Sequence, residues 1–125
     1  MLSTAPVNPT IPVVDMERAK AFYIGKLGLK LVSESPSGTI VEAGSGSTLL
    51  LFPRAEATKA VHTVAGFYVT DVRAEVAELR AKGVVFEDID TPGLKTEDGI
   101  AQLGSFTAAW FKDTEGNVLG IGDVR

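Results

Sequence analysis

The sequence predicts an α+β fold of two tandem β-α-β-β-β modules, and three observations carry that reading. A helix-capping aspartate recurs as Asp15 and Asp71, an offset of 56, and a helix-closing glycine recurs as Gly28 and Gly83, an offset of 55. A glycine-bearing turn between apolar runs also occurs twice, at Gly44-Ser45-Gly46 and at Asp113-Thr114-Glu115-Gly116-Asn117. Between these marks the apolar residues switch from helical spacing to runs of strand length. Neither half can bury both faces of a small sheet alone, so the two halves are expected to share one core.

The first module, about residues 7–53, opens with a strand over 8–14, where Pro9 and Pro12 mark an edge. Asp15 caps a helix whose apolar positions are Met16, Ala19, Phe22, Tyr23 and Leu27, and Gly28 ends it. Strands follow over 29–34, 39–43 and 48–52, joined by glycine- and serine-bearing turns, and a polar linker covers 53–59. The second module, about 61–123, starts with a strand over 63–70. Asp71 caps a helix with a Val72, Val76, Leu79 stripe, closed by Gly83. A strand is expected over 84–89, then an irregular stretch over 90–104, and final strands over 106–112 and 117–122. A structureless loop as long as 90–104 is usually a lid or disordered.

Composition bounds the function classes. A chain of 125 residues is one domain, and it buries roughly two-thirds of its unfolded surface without staples. It has no cysteine, which excludes disulfides, thiolate metal sites and a cysteine nucleophile. A formal net charge of −4 without a basic cluster argues against nucleic acid and tilts toward a cationic or neutral ligand. No apolar run reaches the ~20 residues of a membrane helix. Residues 1–9 lack the basic and apolar regions of a signal peptide, so a cytoplasmic location is expected. Phosphate loops and serine elbows are absent: Gly44-Ser45-Gly46 is a turn, and no GxSxG occurs.

Two stretches resemble a known family. Asp15-Met16-Glu17-Arg18-Ala19-Lys20-Ala21-Phe22-Tyr23 with Leu27-Gly28-Leu29 is similar to the opening signature of the vicinal oxygen chelate superfamily, and Phe111-Lys112-Asp113-Thr114-Glu115-Gly116-Asn117 to its closing one. That superfamily includes glyoxalase I, bleomycin-resistance proteins, extradiol dioxygenases and fosfomycin-resistance enzymes. The resemblance covers nearly the whole chain. It implies that 1–125 is a single domain whose paired modules form a U-shaped cleft, the glyoxalase/bleomycin-resistance fold, in a homodimer. Catalytic members hold a divalent metal with one side chain from the first and fourth strand of each module. Those positions carry over to Asn8, Leu50, Val64 and Gly120. Leucine, valine and glycine side chains offer no lone pair, so no metal and no cofactor is expected.

Other residues are candidates for ligand contact. His62, the one histidine, alternates with Val64, Gly66 and Tyr68 if its strand extends that far. It is either a hydrogen-bonding group or general base in the cleft, or an exposed residue at a linker junction. If Phe111 packs under a helix, Phe106 and Trp110 face the cleft and offer flat aromatic surface. Gly66, Gly120 and Gly122 would then leave volume there, or mark bulges. The expected function is binding of a small organic molecule on Asn8, Leu50, His62, Val64, Tyr68, Phe106, Trp110 and Gly120. The alternative is a glyoxalase-like lyase or isomerase, in which His62 or Asn8 would work on a polarised substrate without metal.

Overall fold

The computed structural model describes residues 1–123. Strand β1 (Thr10–Val13) buries Ile11 and Val13, and its partner β4 (Thr48–Pro53) runs parallel with Thr10 opposite Leu50. β3 (Gly38–Glu42) and β2 (Lys30–Ser35) complete the first sheet in the order β1-β4-β3-β2. The second sheet repeats that order with β5 (Thr63–Tyr68), β10 (Val118–Gly122), β9 (Phe106–Lys112) and β8 (Ile100–Leu103). Each opening strand is thus an edge, where Pro9 and Pro12 cost the sheet least.

Both helices start as their caps dictate. The Asp15 carboxylate accepts from the Arg18 amide at 3.1 Å, and Asp71 does the same for Ala74 at 3.0 Å. Helix α2 (Val72–Ala81) buries Val72, Val76 and Leu79 at helical spacing. Helix α1 (Met16–Lys20) changes pitch and continues as a π-helix over Ala21–Lys26. The wider turn places the consecutive residues Phe22 and Tyr23 both in the core. Gly28 and Gly83 close the helices at φ +77° and +90°, left-handed conformations that suit glycine.

One core serves both modules. The Phe22 ring lies 6.2 Å from Phe111, which in turn packs edge-on against Phe86 at 5.3 Å. A buried polar clasp ties the modules further. Asp113 accepts from Tyr23 Oη at 2.6 Å and from the amides of Glu115 and Asn117 at 2.8 Å each. Asn117 donates to the Pro12 carbonyl at 2.9 Å. Glu115, fully buried, accepts from the Val14 and Asp15 amides at 2.9 Å each and from Arg18 Nε at 2.8 Å. The hairpin of the second module is thereby bolted to the first strand and helix of the first.

The structure corrects the expected second module at two places. Residues 84–89 are not a strand: Phe86 makes one isolated bridge to Phe111, and the Glu87 amide donates to the Trp110 carbonyl at 2.8 Å. The reason is competition for one edge, because β8 already pairs with β9 from Phe106 to Ala109. The stretch 90–104 is not irregular throughout. It contains the small hairpin β6 (Asp90–Thr91) and β7 (Leu94–Lys95), then β8, the true counterpart of β2. Arg80 Nη2 donates to the Asp98 carbonyl at 2.8 Å and holds the turn before β8 against α2.

Candidate ligand-binding site

Strand alternation in the second sheet sorts its residues. Phe111, Leu119 and Ile121 are buried under the helices, so Trp110, Gly120 and Gly122 take the opposite face. Trp110 pairs with Gly120 across the ladder. A Cβ on Gly120 would sit 3.2 Å from Trp110 Cδ1 and Nε1, and one on Gly122 would sit 2.8 Å from Phe106 Cε2. The two half-buried aromatic rings therefore lie across the two glycines. This corrects the expectation that Gly120 and Gly122 leave open volume: the rings fill it. Only Gly66 stays open, its nearest neighbour being the Gly120 carbonyl at 3.9 Å.

Beside Trp110 a cavity of about 690 Å³ opens on this face. Its walls are the linker 58–63, the segment 87–89, Leu94 of the small hairpin, and Trp110, Lys112, Gly116 and Val118 of the β9–β10 pair. Apolar surface comes from Val61, Ile89, Leu94 and Val118 beside the indole. Charge on the walls is mixed: Lys112 pairs with Glu87 at 3.4 Å, and Lys59 and Asp88 add one of each sign. An aromatic plane, apolar flanks and a few peripheral charges are features that ligand pockets in general share, where burial supplies affinity and charges supply orientation.

Of the residues singled out from sequence, Trp110 and His62 line this cavity. His62 is exposed and precedes β5. Among the described residues nothing hydrogen-bonds to it, so no carboxylate orients its ring for catalysis. Val64 packs instead against the core. A bulge in the β5–β10 ladder breaks the alternation at this point: Thr63 pairs with Val118 and Ala65 with Leu119. Thr63 thus takes the place expected of Val64, its Cγ2 3.6 Å from a Cβ built on Gly120. Tyr68 is exposed at the far end of β5. Leu50 and Asn8 belong to the first module, where Asn8 Nδ2 donates to Thr48 Oγ1 at 3.3 Å. Neither lines the cavity. Among the described residues no three His, Asp or Glu side chains gather where they could hold a metal ion.

The family model of the Glyoxalase/Bleomycin resistance protein/Dioxygenase superfamily matches residues 6–121. The chain belongs to that superfamily. Solved structures share the fold: UcmS2 at 23% identity and TM-score 0.76, over 97% of this chain and 98% of that one. The antibiotic binding protein TnmS3 from Streptomyces sp. CB03234 is 24% identical with TM-score 0.64, over 100% of this chain and 99% of that one. Lactoylglutathione lyase from Agrobacterium tumefaciens is 21% identical with TM-score 0.71, over 96% of this chain and 93% of that one. No functionally curated protein matches the chain by sequence. Among the described residues no helix is long and apolar enough to cross a membrane.

Lys59, Val61, Ile89 and Leu94 are cavity-lining residues that the sequence does not single out as site residues. They lie on the linker, on a segment that fails to become a strand and on the small hairpin, none of which has a counterpart in the first module.

Proposed function

We propose that this superfamily member binds a small, flat organic molecule in the cavity beside Trp110 and holds it without transforming it. The half-buried indole on a wall of that cavity is the observation that carries the reading. Support comes also from TnmS3, an antibiotic binding protein of the same fold. The superfamily's metal positions do not fit a metal here. Leu50, Gly120 and the core-packed Val64 bring no donor atom, and the neutral oxygens of Asn8 and of Thr63, which stands where Val64 was expected, are too few to hold a metal ion without a His or carboxylate beside them. We read the protein as cytoplasmic, without a nucleic-acid partner, and as a homodimer. In a dimer that sets the first sheet of one chain against the second sheet of the other, Asn8 and Leu50 complete the cleft.

Trp110 is the sole tryptophan, so its emission reports occupancy directly. Titration with bleomycin and a panel of planar aromatic compounds is expected to quench it saturably, with the compound recovered unchanged by mass spectrometry. No saturable change across the panel overturns the reading. Consumption of a compound overturns the sequestering role and favours the second reading, a metal-independent lyase or isomerase. One observation supports that alternative: His62 stands on the same cavity as Trp110. Turnover lost in His62→Ala with the fold kept would assign it.

A further inference from the structure

We infer that the helix-covered side of the second sheet carries a separate site, for a compact apolar molecule bearing one positive charge. A cavity of about 110 Å³ lies where the turn after the π-helix meets α2 and the second sheet. Leu27 and Leu29 form one wall, one on each side of Gly28, whose left-handed φ of +77° makes the turn. Leu79 of α2 forms another, over a floor of Phe111 and Ile121. The sheet separates this cavity from the one beside Trp110: Phe111 and Trp110 are sequence neighbours on opposite faces, and the two cavities share no residue.

Its chemistry differs as well. Every lining side chain is apolar except Glu75, which is half-buried. Among the described residues the Glu75 carboxylate has no ion-pair or hydrogen-bond partner. Water is held in a cavity by two to four polar partners, and one carboxylate at an apolar hollow does not provide them. An apolar void of comparable size, about 150 Å³, takes up benzene. A ring or branched alkyl body fits the hollow, and an ammonium meets the unpaired carboxylate.

The test uses the full chain at neutral pH with benzylamine and, as the equal-sized anion, benzoate. Side-chain methyl resonances of Leu27, Leu29, Leu79 and Ile121 are followed together with the indole N–H of Trp110. Benzylamine is expected to shift the methyls saturably while the indole stays put. Glu75→Gln should weaken it about fivefold, the size of a half-exposed ion pair, and benzoate should bind more weakly still. Three results would overturn the proposal: no saturable methyl shift, shifts confined to the Trp110 resonance, or affinity unchanged in Glu75→Gln. The readout is independent of Trp110, so this site and the cleft stand or fall separately.

Discussion

The two modules share an order of elements and differ in what they do with it. The first module joins its helix to β2 through the short turn at Gly28. The second interposes residues 82–99 before the equivalent strand β8. That insertion, together with the inter-module linker, supplies much of the wall of the cavity beside Trp110. The first sheet presents Leu50 and Phe52 without such a collar. The hairpins differ in the same sense. Gly44-Ser45-Gly46 is exposed, whereas Asp113, Glu115 and Asn117 are buried and reach into the other module. Repetition therefore builds the scaffold, and departures from repetition build the cavity and the clasp.

The largest asymmetry should appear at Asp113. Asp113→Ala leaves Tyr23 Oη, two amides and the Asn117 carboxamide without their acceptor. Orphaning buried donors of this kind costs about 3–5 kcal/mol. Urea unfolding followed by circular dichroism should show that loss, while Ser47→Ala in the first hairpin, which removes only an exposed hydroxyl bonded to the Gly44 carbonyl at 2.7 Å, costs at most about 1 kcal/mol. Similar effects for the two would erase the distinction between clasp and turn.

Glu115 gives the clasp a pH signature. Burial alone would raise its carboxyl, but Arg18, the Asp15 and Val14 amides and the Thr114 hydroxyl more than offset this and hold it at about 2, below the ordinary 4.5. A depressed carboxyl contributes stability that is fully present above about pH 4.5 and drains away as pH falls toward 2. The urea midpoint should therefore drop over that window. Glu115→Gln should lose about 2 kcal/mol at pH 7, since half-exposed Arg18 can rehydrate. Its own pH dependence should be flatter. A variant as acid-sensitive as the parent would move the effect to other carboxylates.

The difference between the outer faces is read by ligand affinity. Trp110→Ala, measured by calorimetry, should weaken a quenching ligand at least tenfold, about 1.4 kcal/mol. Leu50→Ala should weaken it about threefold if a second copy brings the first sheet against the cleft, and leave it unchanged in a monomeric site. Light scattering on the same samples separates those cases.

Local chemistry made much of the fold legible. Asp15, Asp71, Gly28 and Gly83 announce helix ends because capping and left-handed turns depend on few residues. The faces of Trp110 and Phe111 followed from period two once one of them was placed in the core. What misled were elements decided by competition. Residues 84–89 alternate like a strand, with Val84 and Phe86 buried, yet β8 holds the edge they would need. Ile100–Leu103 is four residues inside a polar stretch and shows no period. The bulge that exchanges Thr63 for Val64 is invisible to a count of offsets. The cavity walls come from segments brought together by tertiary packing, and no local signal announces them.

The smallest expected effect compares the hairpins at their left-handed residues. Ser45 holds φ +57° and Gly116 holds φ +88°. A side chain in that region costs about 1 kcal/mol that glycine escapes. Ser45→Gly should therefore gain about 0.5–1 kcal/mol, since no hydrogen bond of its hydroxyl is lost among the described residues. Gly116→Ala should lose about as much. Its new Cβ would meet Thr58 Cγ2 at 3.7 Å, ordinary contact, so the loss is conformational and not steric. Opposite shifts of about 2–4 °C in the melting temperature are the expected readout. If Gly116→Ala costs several times more than Ser45→Gly gains, the buried hairpin is also constrained by its clasp. The excess would measure how tightly the second module holds the first.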